Sequence, residues 1–289
     1  MADPFGFLNI DKPLGITSHD VVAKVRRVAG TKRVGHAGTL DPLATGVLIV
    51  CLGNATRLSE YVMQSTKRYR ARVHLGVTTD TYDAEGEVLQ QRDAGHITQE
   101  AVEAALGRFR GDIEQVPPMY SAIKQGGRKL YELARAGETV EREARPVRID
   151  ALTVSEWQPP QFTLDVTCSA GTYIRSLAYD IGEALGVGAH LAGLVRVSSG
   201  GFTLENAAPL DRLIAADDWR AYLLSPADAL RDWPAVSLSV DEVKRIRQGQ
   251  AIDAAPGAGG LVFGYAPDGT LIGLLRADGS LWRPHKVFS

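Results

Sequence analysis

Gly35-His36-Ala37-Gly38-Thr39-Leu40-Asp41-Pro42-Leu43-Ala44-Thr45-Gly46 is a polar stretch crowded with turn formers, and it feeds straight into Val47-Leu48-Ile49-Val50-Cys51-Leu52. Six apolar residues in a row after a glycine predict a strand buried on both faces. A loop anchored on such a strand can hold a reactive side chain rigidly, which makes Asp41 the first candidate for chemistry. An aspartate in a Gly/Pro-rich turn ordinarily bonds its own backbone, so the loop alone leaves both readings open.

On the N-terminal side, Phe7-Leu8-Asn9-Ile10 reads as a short strand closed by Lys12-Pro13-Leu14-Gly15. Thr17 or Ser18 then caps a helix with Val21, Val22, Val25 and Val28 on one face and Lys24, Arg26 and Arg27 on the other, and Gly30 stops it. On the C-terminal side, a helix is predicted over 56–65, a strand over 69–75, an amphipathic helix over 98–109, and strands over 147–157 and 162–168. A helix follows Gly171, with Ile174, Leu177, Ala178, Ile181 and Leu185 turned inward. Tyr173 and Arg175 then fall at a strand-to-helix junction. Pro117-Pro118 opens a stretch to Gly137 with little that could fill a core, which predicts an exposed, mobile excursion. Beyond Trp233-Pro234 come short strands, with Asp268-Gly269 and Asp278-Gly279 between apolar runs as hairpin turns. The expected domains are therefore 1–232, with an insertion at about 117–140, and a small β-rich unit at 233–289.

The chain has 289 residues, 45% hydrophobic and 23% charged, as in a globular protein and unlike a disordered one. Its apolar runs are far short of the roughly 18 residues a membrane span needs. The N-terminus lacks the basic start of a secretory signal, and the two cysteines, Cys51 and Cys168, form no Cys-x-x-Cys pair. A reducing cytoplasmic compartment and no metal site are expected. The net charge of −2 argues against a non-specific nucleic-acid binder, yet the charges are segregated. Residues 1–75 carry eleven Lys/Arg against five Asp/Glu, and residues 76–115 carry three against nine. Two basic clusters, Lys24 to Arg33 and Lys67 to Arg72, flank the glycine-rich loop and suggest a polyanion track.

Neither a P-loop, a Gly-x-Gly-x-x-Gly fingerprint nor a Gly-x-Ser-x-Gly elbow occurs, so nucleotide hydrolysis, dinucleotide redox and serine-hydrolase chemistry lack their usual frames. What the loop does resemble is the catalytic motif of the TruB family, the tRNA pseudouridine-55 synthases. Three further blocks agree in order: Lys67-Arg68-Tyr69-Arg70, Pro117-Pro118-Met119-Tyr120-Ser121-Ala122-Ile123-Lys124, and Gly171-Thr172-Tyr173-Ile174-Arg175. The likeness runs from Phe7 to about Gly200. One departure is Leu194-Val195-Arg196, where members more often have Leu-Arg-Arg; Val195 offers no phosphate contact.

The resemblance implies an α+β pseudouridine-synthase fold: a central mixed, mainly antiparallel sheet flanked by helices, then a small C-terminal β-rich, PUA-like RNA-binding domain. It implies isomerisation of uridine to pseudouridine in the T-loop of tRNA, with no cofactor, by a cytoplasmic monomer needing neither guide RNA nor membrane. By motif, Asp41 is the catalytic aspartate, Tyr69 the aromatic neighbour of the target base and a candidate base for its C5 proton, and Arg175 the partner of Asp41. His36 sits where the flipped nucleotide leaves the loop, Tyr173 and Leu194 line the pocket, Lys12, Lys67 and Arg68 contact the substrate, and the insertion grips RNA. Desolvation alone would neutralise Asp41; an ion pair at about 4 Å offsets this by about 4 kcal/mol at an effective dielectric of 20. Two other readings compete: a non-catalytic tRNA-binding or tRNA-folding protein, and a guide-RNA-dependent synthase inactive on bare tRNA.

Overall fold

The computed structural model describes residues 4–138 and 140–288; residues 1–3, where a leader was sought, residue 139 in the expected insertion, and residue 289 lie outside them. Among the described residues, ten strands join in one sheet. These are β1 (Gly6–Lys12), β2 (Val34–His36), β3 (Ala44–Leu52), β4 (Lys67–Leu75), β5 (Gly111–Gln115), β6 (Arg145–Gln158), β7 (Gln161–Cys168), β8 (Ala189–Ser199), β9 (Phe202–Thr203) and β10 (Ala208–Pro209). Their order is β10-β1-β3-β8-β4-β7-β6-β5, with β2 on β3 and β9 on β8. The β1–β10 and β3–β8 pairs are parallel and the others antiparallel, so the sheet is mixed and mainly antiparallel.

Helices α1 (Ser18–Ala29), α2 (Gln99–Leu106) and α3 (Ile174–Ala184) cover one face. Val21, Val22 and Val25 of α1 pack on Leu8, Ile10, Leu48 and Val50. Val102 and Leu106 of α2 and Ile174, Leu177 and Ile181 of α3 pack on Ala71, Val73, Leu164 and Val166. Tyr69 and Leu194 are half-buried against both clusters, at the seam where they meet. The run 47–52 is buried on both faces, as its unbroken apolarity predicts.

Residues 235–287 form a second, five-stranded sheet with one helix, Val240–Arg247, over its own small core of Leu238, Val243, Ile246, Ile272 and Leu275. Gly269 and Gly279 take the positive φ that their hairpin turns require. This sheet packs on the opposite face of the first, together with the short helix Ser59–Met63: Phe263, Leu271, Leu274 and Phe288 share a cluster with Phe7, Val47, Ile49 and Tyr61. No helix among the described residues is long and apolar enough to cross a membrane.

The 117–137 stretch departs from the exposed excursion that its composition suggests. Pro117, Pro118, Ser121, Leu130 and Leu133 are buried, and the short helix Leu130–Arg135 folds back so that Tyr131 N–H donates to the Ser121 carbonyl. Its hairpin tip, two residues per strand at Lys124–Gln125 and Arg128–Lys129, and the helix end at 135–137 remain largely in solvent, so the stretch is exposed in part and anchored in part. Two leucines at helical spacing are enough to anchor so short an element.

Candidate active site

The loop from Gly38 to Leu43 is clamped before and after Asp41. Thr17, not Ser18, caps α1 through a capping box with Asp20. Ser18 is thereby free to accept the Leu40 N–H at 2.8 Å and to donate to the Leu40 carbonyl at 2.9 Å. Gly15 N–H donates to the Pro42 carbonyl at 2.9 Å, and Ala44 N–H to the Asp41 carbonyl at 3.0 Å. Beneath the loop lies the buried Arg196, whose Nε donates to the Val47 carbonyl at 2.6 Å and whose guanidinium donates to the Gly38 carbonyl at 3.0 Å. These bonds explain two of the motif's glycines. Gly38 has φ +101° with Arg196 beside it; Gly46 has φ +94°, and a Cβ there would stand 2.4 Å from the Arg196 carbonyl oxygen. Gly46→Ala is accordingly expected to lose at least about 2 kcal/mol of stability, from strain and clash together, read as a lower denaturation midpoint.

Arg175, second residue of α3, reaches the loop. Its Nε lies 3.1 Å from Asp41 Oδ2, and its guanidinium also lies 3.5 Å from Asp83 Oδ2. Two further bonds fix it, to the Thr81 carbonyl at 3.2 Å and the Tyr120 carbonyl at 2.8 Å. The side chains of Arg175 and Asp83 are 7% and 4% exposed, whereas that of Asp41 is 40% exposed. Burial among protein groups pushes the Asp41 carboxyl above the usual aspartate value; Arg175 and Lys12 pull it down, and Asp83 pushes it up.

Tyr69 and Leu194 are brought to the same place by register, since Leu194 pairs with Ala44 on β3 and Arg196 with Tyr69 on β4. With Leu43 they form an apolar wall beside Asp41. Burial pushes the Tyr69 hydroxyl above its ordinary value, against the pull of Arg196. Tyr173 is the extended N-cap of α3, and the buried Gln115 side chain pins its backbone twice, accepting its N–H at 2.7 Å and donating to its carbonyl at 3.0 Å. His36 ends β2 with its ring edge-on to His19, centroids 6.1 Å apart; burial, with His19 and Arg196, holds its imidazole below the ordinary value.

Of three expected substrate contacts, two are buried, Lys12 close enough to Asp41 to act on its charge, and one turns to the other face of the sheet. Lys12 is fully buried, its ammonium donating to the carbonyls of Pro13 and Ile16 at 2.9 and 2.7 Å. Lys67 is buried and donates to the Met63 and Ser65 carbonyls. Arg68 neighbours Tyr69 on a strand, and alternation turns its side chain to the opposite face; it is exposed there and, with Tyr69, Arg70, Asp165 and Thr167, lines a cavity of about 320 Å³. Conversely, Asp83, Gln115, Ser18 and Arg196 hold the site without having stood out as site residues. No group of three His, Cys, Asp or Glu among the described residues is placed to hold a metal ion.

Residues 26–174 match the TruB family pseudouridylate synthase N-terminal domain, residues 175–232 the tRNA pseudouridylate synthase B C-terminal domain, and residues 233–289 the C-terminal region of tRNA pseudouridine synthase II. The tRNA pseudouridine synthase B of Cupriavidus metallidurans is 46% identical over 297 residues, spanning 99% of this chain and 94% of that protein. That of Symbiobacterium thermophilum is 54% identical over 249 residues, spanning 85% and 82%. Among solved structures, a Cbf5-Nop10-Gar1 complex superposes with a TM-score of 0.77 at 29% identity, over 99% of this chain and 85% of the other. An H/ACA RNP bound to a substrate RNA containing 2′-deoxyuridine gives 0.76 at 27%, with the same coverage. The Asp41 loop, the Arg175 junction and these near-full-length likenesses agree: the chain belongs to the TruB family of pseudouridylate synthases.

Proposed function

We propose that this enzyme isomerises uridine to pseudouridine at position 55, in the T-loop of tRNA, and does so without a guide RNA. The observation that carries the reading is the 3.1 Å contact between Asp41 and Arg175 beside the wall of Leu43, Tyr69 and Leu194. The near-full-length relatives named tRNA pseudouridine synthase B support tRNA as substrate.

A uracil stacked in a folded loop has to be extruded, at a cost of a few kcal/mol, and an aromatic face recovers about 1–3 kcal/mol by stacking on it. Tyr69 is that face. The bond from ribose C1′ to N1 then breaks, the uracil turns, C1′ joins C5, the C5 proton leaves and N1 gains a proton. Asp41 supplies the negative charge that the electron-poor C1′ needs as the first bond lengthens, and Arg175, at 3.1 Å, favours its ionised form against the cost of burial. Burial raises the Tyr69 hydroxyl while the Arg196 guanidinium beside it favours its ionised form, and we assign Tyr69 both the stacking face and the base that takes the C5 proton. Tyr173 and His36 border the pocket at its two edges. Gripping of phosphates, with the salt dependence that follows, falls to exposed cations such as Lys24 and Arg27 on α1, Lys124 at the insertion tip and Arg276 in the 233–289 domain.

Mapping pseudouridine in a T-arm stem-loop and in a full-length tRNA transcript, each incubated with the purified protein alone, tests this directly. One modified uridine, at position 55, is expected in both. Binding without modification would favour the non-catalytic reading, and modification only on adding a guide RNA would overturn the stand-alone one.

A further inference from the structure

Asp83, which meets Arg175 at 3.5 Å, follows a turn of unusual shape. Tyr82, its neighbour, has φ +64° and is the one non-glycine residue with positive φ among those described. A bulky side chain disfavours that conformation. Here the ring is held: it stacks on Tyr179, centroids 4.1 Å apart and planes at 18°. Tyr179 lies on α3 four residues beyond Arg175, hence on the same stripe of the helix one turn along. Consecutive residues of one turn, Tyr82 and Asp83, thus dock on two positions of one helix stripe, ring on ring and carboxylate on guanidinium. The backbone completes the docking on β8, Leu191 N–H donating to the Tyr82 carbonyl and Ala84 N–H to the Leu191 carbonyl, both at 3.0 Å.

We propose that Tyr82 and Tyr179 are positioning residues: their stack holds the strained turn that sets Asp83 against Arg175, and through it the geometry of Arg175 on Asp41. They touch no reacting atom, and their effect on the reaction passes through Asp83. The inference rests on Asp41 being the reactive group, as proposed above.

A double-mutant cycle on the full-length enzyme tests it, read as the single-turnover rate of pseudouridine formation and the dissociation constant for a tRNA transcript. Tyr179→Ala is expected to slow the reaction by about 10- to 100-fold, the order of effect a small misplacement produces, with tRNA affinity unchanged. Tyr179→Phe, which keeps the stack, is expected to retain the native rate. In the Asp83→Asn background, Tyr179→Ala is expected to cause no further slowing, because the pathway it acts through is already broken. Tyr82→Ala, which keeps the disfavoured φ and loses the ring, carries the same cycle should Tyr179→Ala fail to fold. Losses that multiply in the double variant, or a Tyr179→Ala enzyme with native rate, overturn the clamp while leaving the proposed function standing. A native protein that leaves tRNA unmodified overturns the proposed function, and the clamp with it.

Discussion

Asp41→Asn is expected to bind tRNA with native affinity and to form pseudouridine at least about 10⁴-fold more slowly, the order of loss when a charged member of a catalytic constellation is replaced by its neutral isostere. The loop should survive the change, because every clamp on it runs through backbone or through other side chains: Ser18 on Leu40, Gly15 on Pro42, Arg196 on Gly38 and Val47. Arg175 should survive too, since Asp83 and the Thr81 and Tyr120 carbonyls still hold it. The variant therefore isolates the charge at one carboxylate. The readouts are pseudouridine mapping for the rate and a filter-binding titration for affinity. An Asp41→Asn enzyme that modifies tRNA at the native rate would remove Asp41 from the chemistry.

Much of this site is legible in the chain because it is local. The loop 35–46, the buried run after it and the junction at Tyr173-Ile174-Arg175 each declare themselves within a dozen residues, and strand register then brings Leu194 and Tyr69 alongside. What stays hidden falls into two kinds. Asp83 and Arg196 are long-range: one meets a helix about 90 residues further along from a turn that no motif marks, the other sits under a loop some 158 residues earlier in the chain. No periodicity marks such partners. Lys12 and Lys67 are hidden for another reason. A lysine is expected to keep its charge in water, yet both ammonium groups are satisfied by carbonyls close in sequence, and burial pushes both down to about 8. Arg68 is different again. The two-residue period of the strand places it opposite Tyr69, although it stands in one basic cluster with its neighbours Lys67 and Arg70.

Arg175→Met is expected to displace the acid limb of the pH–rate profile toward neutrality, and Asp83→Asn to displace it the other way. The activity needs Asp41 as a carboxylate, so it falls as pH drops through the Asp41 pKa. Burial already raises that pKa above 3.8, and Asp83 raises it further, while Arg175 lowers it. Removing the guanidinium leaves the upward influences unopposed, and the protonated, inactive form then persists to higher pH. Removing the Asp83 charge takes away an upward influence, so the limb retreats to lower pH even though the reaction slows at every pH as Arg175 loses an anchor. The stability consequences carry their own sign. Because the folded state holds the Asp41 proton more tightly than the unfolded chain does, stability falls as pH rises between 3.8 and the raised value, and Arg175→Met extends that window upward. It also strands the nearly inaccessible Asp83 without its cation, a loss of about 3–5 kcal/mol for a broken buried pair, which should appear as a lower denaturation midpoint at pH 7. Kinetics of both variants across one pH series, with tRNA saturating and subsaturating, provide the check. Two limbs that move in the same direction, or a limb that neither variant moves, would mean that the titrating group is not an aspartate held between these two charges.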